Sequence, residues 1–175
     1  MRLIKEEKQG KRNKWTIYSY QDKHWMREMQ IYHLEDIYLE KIMREMEIEC
    51  IIVEIASQSI AWLERMEWQK QMIINPYSWK RLASTWYCCP HEWQDEVAIT
   101  LESQLKEEIE DIDSFLTHFY NVASLQEAYE IYDKWQGERL LCHQLGNKVI
   151  DFFQSYEEEV FNYFRYLDIG KIIYK

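Results

Sequence analysis

Glycine and proline are scarce in this chain: four and two in 175 residues. That shortage disfavours sandwiches and barrels, which spend these residues in many tight turns. It also leaves no room for glycine-rich phosphate loops, and no Gly-x-x-x-x-Gly-Lys, Gly-x-Gly-x-x-Gly, Gly-x-Ser-x-Gly or His-Glu-x-x-His pattern occurs. Four cysteines, two of them adjacent, do not make a secreted disulfide framework. No apolar run approaches the ~18 residues of a membrane span. The longest candidate, Cys50-Ile51-Ile52-Val53, stops at Glu54. The charged N-terminal residues do not read as a secretory signal. Together these absences lead to the expectation of a cytoplasmic protein without cofactors.

Apolar residues make up 47% and aromatic residues 15%, including eight tryptophans, which is ample material for a core. Charge is unevenly distributed. Residues 1–27 hold eight of the 21 basic residues and three of the 31 acidic ones, a net of +5. The remaining 13 basic and 28 acidic residues give 28–175 a net of −15. Such a body repels phosphate backbones, so direct nucleic-acid binding is not expected. The basic segment is suited to an acidic partner, a lipid surface or the acidic body itself.

Periodicity predicts an all-α protein, a bundle of six or seven helices. Residues 1–18 form either a small β-hairpin around Gly10 or a basic arm, and 19–175 form a single helical domain. Ser19 followed by Asp22 resembles a helix N-cap. From there to Ile74 neither glycine nor proline occurs, and Ile48, Ile52, Ile55, Ser59, Trp62 and Met66 recur at helical spacing. Two helices, over 21–47 and 49–73, are the favoured reading, jointed near Ser57-Gln58-Ser59. The alternation Glu45-Met-Glu-Ile-Glu-Cys-Ile keeps a strand at 46–54 as the alternative.

After the Asn75-Pro76 turn a short helix is predicted at 78–87, and Pro90 opens the next. An unbroken helix over 91–120 follows, with Val97, Leu101, Leu105, Ile109, Ile112, Leu116 and Phe119 as its stripe. Ser124 and Glu127 match a capping box, opening a helix to Gln136. Gly137 and Gly146 read as helix stops around a short helix at 138–145, and 147–168 reads as the last long helix.

Cys88, Cys89, His91, Cys142 and His143 are weak candidates for a zinc site, because thiolates and imidazoles are its usual ligands. Adjacent cysteines have the wrong spacing, and core packing is the favoured account. No histidine has a glutamate three residues before it, which removes the common di-iron pattern. Glu92-x-x-Asp95 and Glu110-x-x-Asp113 superficially resemble the paired acidic motifs of all-α nucleotide pyrophosphatases. On one continuous helix, residues 18 apart lie about 27 Å apart and cannot share an ion, so nothing carries over and a solvated acidic face is expected.

Trp68, Trp79, Trp86 and Trp93 crowd into 26 residues, and tryptophan is enriched at interface hot spots. The expected function is therefore protein–protein interaction without catalysis. Another protein, or a second copy of the chain, would dock on these tryptophans, with the acidic 92–113 stretch steering the encounter. The alternatives are an enzyme or small-ligand binder with a pocket between helices, and an acidic mimic of nucleic acid.

Overall fold

The computed structural model describes residues 1–9, 12–32, 35–54, 57–75, 79, 91–138, 143–166 and 169. It corrects the all-α expectation. A five-stranded mixed sheet, β3-β2-β1-β4-β5, is built from the first 75 residues, and seven α-helices are described along the chain. The strands are β1 (Arg2–Gln9), β2 (Arg12–Gln21), β3 (His24–Tyr32), β4 (Cys50–Glu54) and β5 (Met72–Asn75). The first three form an antiparallel meander, while β4 runs parallel to β1, and β5 parallel to β4.

The N-terminal hairpin is thus present, but as part of a larger sheet rather than an appendage to a bundle. Ser19 caps no helix; it is a buried residue of β2, opposite Arg2. The segment predicted as a helix over 21–47 divides into β3 and helix α1 (Asp36–Glu45). The segment predicted over 49–73 becomes β4, helix α2 (Ser59–Arg65) and β5, so the strand alternative near 46–54 was the correct one there. In β4 and β5, Cys50–Val53 and Met72–Asn75 are all buried, as both-face burial in a parallel sheet demands. Their near-continuous apolar runs also satisfy a helical period, which is why spacing alone misread them.

Four non-glycine residues in left-handed backbone replace the expected turn signals: Asp22, Lys23, Glu47 and Glu67. Asp22 (φ 50°) and Lys23 (φ 64°) form the two-residue turn between β2 and β3, where Asn-Gly would be the usual pair. Glu47 ends α1, its N–H donating to Arg44 O while the Ile48 N–H donates to Met43 O. Glu67 ends α2 in the same way, through Glu67 N–H to Glu64 O and Trp68 N–H to Leu63 O. Both stops are Schellman motifs with glutamate where glycine is favoured.

The helical half begins with a 3-10 turn, His91–Trp93, and continues through α3 (Gln94–Gln104), α4 (Lys106–Tyr120), α5 (Leu125–Glu138), α6 (Gln144–Ser155) and α7 (Glu157–Phe161). A second 3-10 turn covers Asn162–Arg165. The unbroken helix predicted at 91–120 is interrupted at Leu105, where φ −123° and ψ 38° leave the helical region. The last predicted helix breaks similarly at Tyr156. The Ser124 cap forms as read, with Glu127 N–H donating to Ser124 Oγ, while the return bond to Glu127 Oε2 comes from Ala123 N–H, one residue before the cap. Neither glycine stops a helix. Gly137 lies inside α5 and Gly146 inside α6, and of the 138–145 segment residues 139–142 lie outside the described set.

Aromatic rings from α4 to α7 fill the helical core. Phe119 is fully buried and meets Phe153, Phe161 and Phe164 edge-on, while Phe115 stacks on Trp135 at 4.0 Å. This core is joined to the sheet by Asn162, whose Nδ2 donates to Met72 O (2.9 Å) and Lys70 O (3.3 Å).

Left-handed backbone costs a residue with a side chain roughly 1 kcal/mol more than glycine. Lys23→Gly and Glu67→Gly should each stabilise the protein by about that amount in urea unfolding, whereas Ser124→Ala should cost about 1 kcal/mol. Loss of stability in both glycine variants would contradict these turn assignments.

Candidate functional site

A chain that leaves β1 toward β2 on one side, and reaches β4 by a crossover on the other, creates a topological switch point. In open α/β sheets, ligands bind outside the carboxyl ends of the strands at such a point. The carboxyl end of β4 meets the middle of β1, which brings together Glu6, Glu54 and the Ser57–Ser59 turn into α2. Leu3, Ile4 and Lys5 align with Cys50, Ile51 and Ile52, so continuing the register places Glu6 one residue short of the end of β4.

Glu6 is a carboxylic acid held in the interior, only 3% exposed. Its Oε1 accepts hydrogen bonds from Ser59 Oγ (2.7 Å) and Asn13 Nδ2 (2.8 Å), linking β1 to α2 and β2. Its Oε2 is buried without a hydrogen-bond partner. Burial, and then the like charge of Glu54, raise its pKa above the ordinary carboxyl value. The Ser57 and Ser59 hydroxyls and the Glu54 backbone oppose that rise without cancelling it. The Ser59 N–H donates to Ser57 Oγ, which fixes the turn that presents both hydroxyls.

The adjacent carboxylate has a different environment. Glu7 is bridged by Lys5 (3.6 Å) and Lys14 and accepts a hydrogen bond from Thr16 Oγ1. Its own desolvation is outweighed by these partners, and its pKa is lowered. Two neighbouring glutamates on one strand are therefore pushed in opposite directions. The basic charge of the N-terminal segment is also engaged within the fold. Arg2 Nε bridges Glu28 at 3.3 Å, and the Met1 ammonium lies 3.6 Å from Glu49.

Of the four tryptophans singled out in the sequence, Trp68 is buried beneath the Arg44 guanidinium, 5.4 Å from its ring. Trp79 is also buried and donates its Nε1–H to Asp113 Oδ1 at 2.6 Å. Trp93 is 59% exposed, and Trp86 lies outside the described residues. Cys88, Cys89 and Cys142 also lie outside them. His91 opens the 3-10 turn that precedes α3, and His143 precedes α6. Among the described residues, no group of three or more His, Cys, Asp or Glu side chains is arranged to hold a metal ion.

The acidic helix is not simply a solvated face. On α4, Glu108 Oε1 accepts the Gly146 N–H at the start of α6, Asp111 Oδ2 accepts the Trp135 indole N–H, and Asp113 accepts that of Trp79. The Leu105 break removes the continuous-helix distance between Glu92-x-x-Asp95 and Glu110-x-x-Asp113, yet Asp113 is held by Trp79.

Sequence reasoning missed Glu6 because the Lys5-Glu6-Glu7-Lys8 stretch reads as the start of a polar turn. Only the extension of β1 to Gln9 shows that Glu6 lies in the middle of a central strand. The chain matches no protein-family model, and searches of curated proteins and of solved structures give no match. No helix among the described residues is long and apolar enough to cross a membrane.

The raised pKa of Glu6 has a sign that can be checked. The native state binds its proton more tightly than the unfolded chain, so its contribution to stability is complete below the ordinary value near 4.5. That contribution is lost as pH rises through the higher native value. Glu6→Gln should flatten this dependence, with the variant gaining on the wild type as pH rises from 4 toward neutrality in urea titrations at roughly unit steps. A stability difference independent of pH would show that Glu6 titrates normally.

Proposed function

We propose that this chain is a ligand-binding α/β protein whose site lies where β4 ends against the middle of β1, with Glu6 holding a divalent cation of the magnesium or manganese kind. The observation that carries this reading is the buried Glu6 carboxyl, whose Oε2 lacks a hydrogen bond of good geometry although the Ser57 hydroxyl and the Glu54 backbone lie beside the group. Glu54 adds like charge to the same place, and a cation relieves that repulsion as a proton does. The nearby groups offer oxygen rather than sulfur or imidazole, which suits hard cations. Magnesium is commonly held by one or two carboxylates, with water or phosphate oxygens completing its shell. A cluster of three protein carboxylates is therefore not required.

Association with another protein is a second reading, favoured by a different observation. Met26, Met29 and Tyr32 on the outer strand β3, and Ile37 and Tyr38 at the start of α1, are exposed large apolar side chains. Trp93 and Ile99 are exposed likewise at the start of the helical half. Buried Trp68 and Trp79 support the interior, so the weight of this reading moves from the 68–93 stretch toward β3.

The cation reading is tested by calorimetric titration of the full chain with magnesium and manganese chloride. The wild type should bind one ion per chain and melt at a higher temperature with it, and Glu6→Gln should lose both effects. Absence of binding by the wild type, or equal binding by the variant, would reduce Glu6 to a structural link among β1, β2 and α2.

A further inference from the structure

Alternation along the strands gives the meander two unlike faces. Arg2 and Glu6 lie on one of them, where Arg2 Nη1 donates to Met46 O after α1 and Glu6 accepts from Ser59 of α2. That face belongs to the two helices. On the opposite face β2 places Arg12, Lys14, Tyr18 and Tyr20, which alternate with the buried Trp15, Ile17 and Ser19. Their neighbours there on β3 are Tyr32, paired with Lys14, Arg27, paired with Tyr18, and Trp25, paired with Tyr20. Glu28, the extra residue of that pairing, shifts the alternation so that Tyr32 shares the face with Trp25 and Arg27.

In a chain with ten more acidic than basic residues, β2 and β3 thus carry three basic residues, four aromatic ones and no acidic one on this face. The acid next to them, Glu7 on β1, is bridged by Lys5 and Lys14. Arg27 is exposed, and no ion pair among the described residues engages it. Tyr32 is 50% exposed, and Tyr18, Tyr20 and Trp25 are half-buried, with the Tyr20 and Trp25 rings 4.9 Å apart. From Tyr20 to Lys14 the strand covers about 20 Å at ~3.4 Å per residue, room for several nucleotides. We propose that this face binds single-stranded nucleic acid, with bases stacking on Tyr20, Trp25 and Tyr32 while Arg27 and Lys14 meet the phosphates. A lipid surface or a duplex would use the charge alone, whereas an unpaired strand offers both phosphates and open base faces. The net charge of the chain argues against such a ligand only as an average over all surfaces. At physiological salt the acids of the helical half are screened beyond about 8 Å.

This inference goes beyond the cation reading and does not rest on it, because Glu6 lies on the opposite face. Its test is fluorescence anisotropy of a labelled oligothymidylate of about 12 nucleotides, titrated with the full chain in EDTA so that divalent cations play no part. Circular dichroism confirms that each variant is folded. The wild type should bind with Kd of about 1–100 μM near physiological salt. Tyr32→Ala should weaken binding about tenfold. Arg27→Gln should lower the slope of log K against log salt by about 0.7. Met26→Ala, exposed on the opposite face, should leave binding unchanged. No binding by the wild type, indifference to both Tyr32→Ala and Arg27→Gln, or an equal loss in Met26→Ala would each overturn the proposal. So would a duplex of the same length bound as tightly as the single strand, or phosphatidylserine vesicles bound in its place.

Discussion

The parallel pairing of β1 with β4 is the constraint on which the rest of this molecule depends. Antiparallel neighbours need only a short turn, but a parallel neighbour requires the chain to travel back along the whole sheet before it can pair. Residues 10–49 make that journey, and on the way they add β2, β3 and α1. A second crossover, through α2, places β5 beyond β4. Strand β1 is thereby enclosed on both edges, and a carboxylic acid in its centre is carried into the interior. The unusual state of Glu6 follows from topology: the same pairing that buries it also brings the end of β4 and the Ser57–Ser59 turn against it.

Legibility in the sequence tracked how local the cause was. The Ser124–Glu127 box, the amphipathic stripe from Ile109 to Phe119, and the hairpin around Gly10 depend on residues close in the chain, and each appears in the fold. The strands β4 and β5 do not announce themselves, since residues buried on both faces lose the alternation that marks a half-buried strand. The breaks after α1, after α2 and between β2 and β3 were concealed for another reason. They rest on left-handed Glu47, Glu67, Asp22 and Lys23, of which only Asp22 is a customary turn residue. A chain with four glycines still makes tight turns, but makes them with residues that pay some strain. The scarcity of glycine, which counts against sandwiches and barrels, thus does not exclude a sheet.

The acidic character of the chain also changes meaning once the fold is known. Glu108, Asp111 and Asp113 lie along one helix, and each accepts an N–H from a different part of the chain. A charged acceptor makes a stronger hydrogen bond to an indole or amide than a neutral one does. Part of what the composition counts as surface charge is thus internal fastening, and the density of acids on α4 reflects the number of elements converging on it. Glu6 was illegible for the complementary reason: a carboxylate in a charged stretch is unremarkable until a strand is drawn through it. The tryptophans show the same division, with Trp68 and Trp79 in the interior and Trp93 at the surface.

The long separation between paired strands also shapes how the chain must acquire its structure. Strands β1 to β3 are contiguous and can zip together as soon as they exist, but the inner edge of β1 stays bare until β4 arrives more than forty residues later. The bonds from Asn162 to the β5 end of the sheet span 90 and 92 residues. Closure over such distances bears its entropy cost before contacts compensate for it, so folding is slower than in a helical bundle of equal length. On a ribosome the meander would emerge before β4, with β1 as one of its open edges, and that edge would close only after β4 had been made. The strand that ends as the centre of the sheet therefore passes through a stage in which it is an edge.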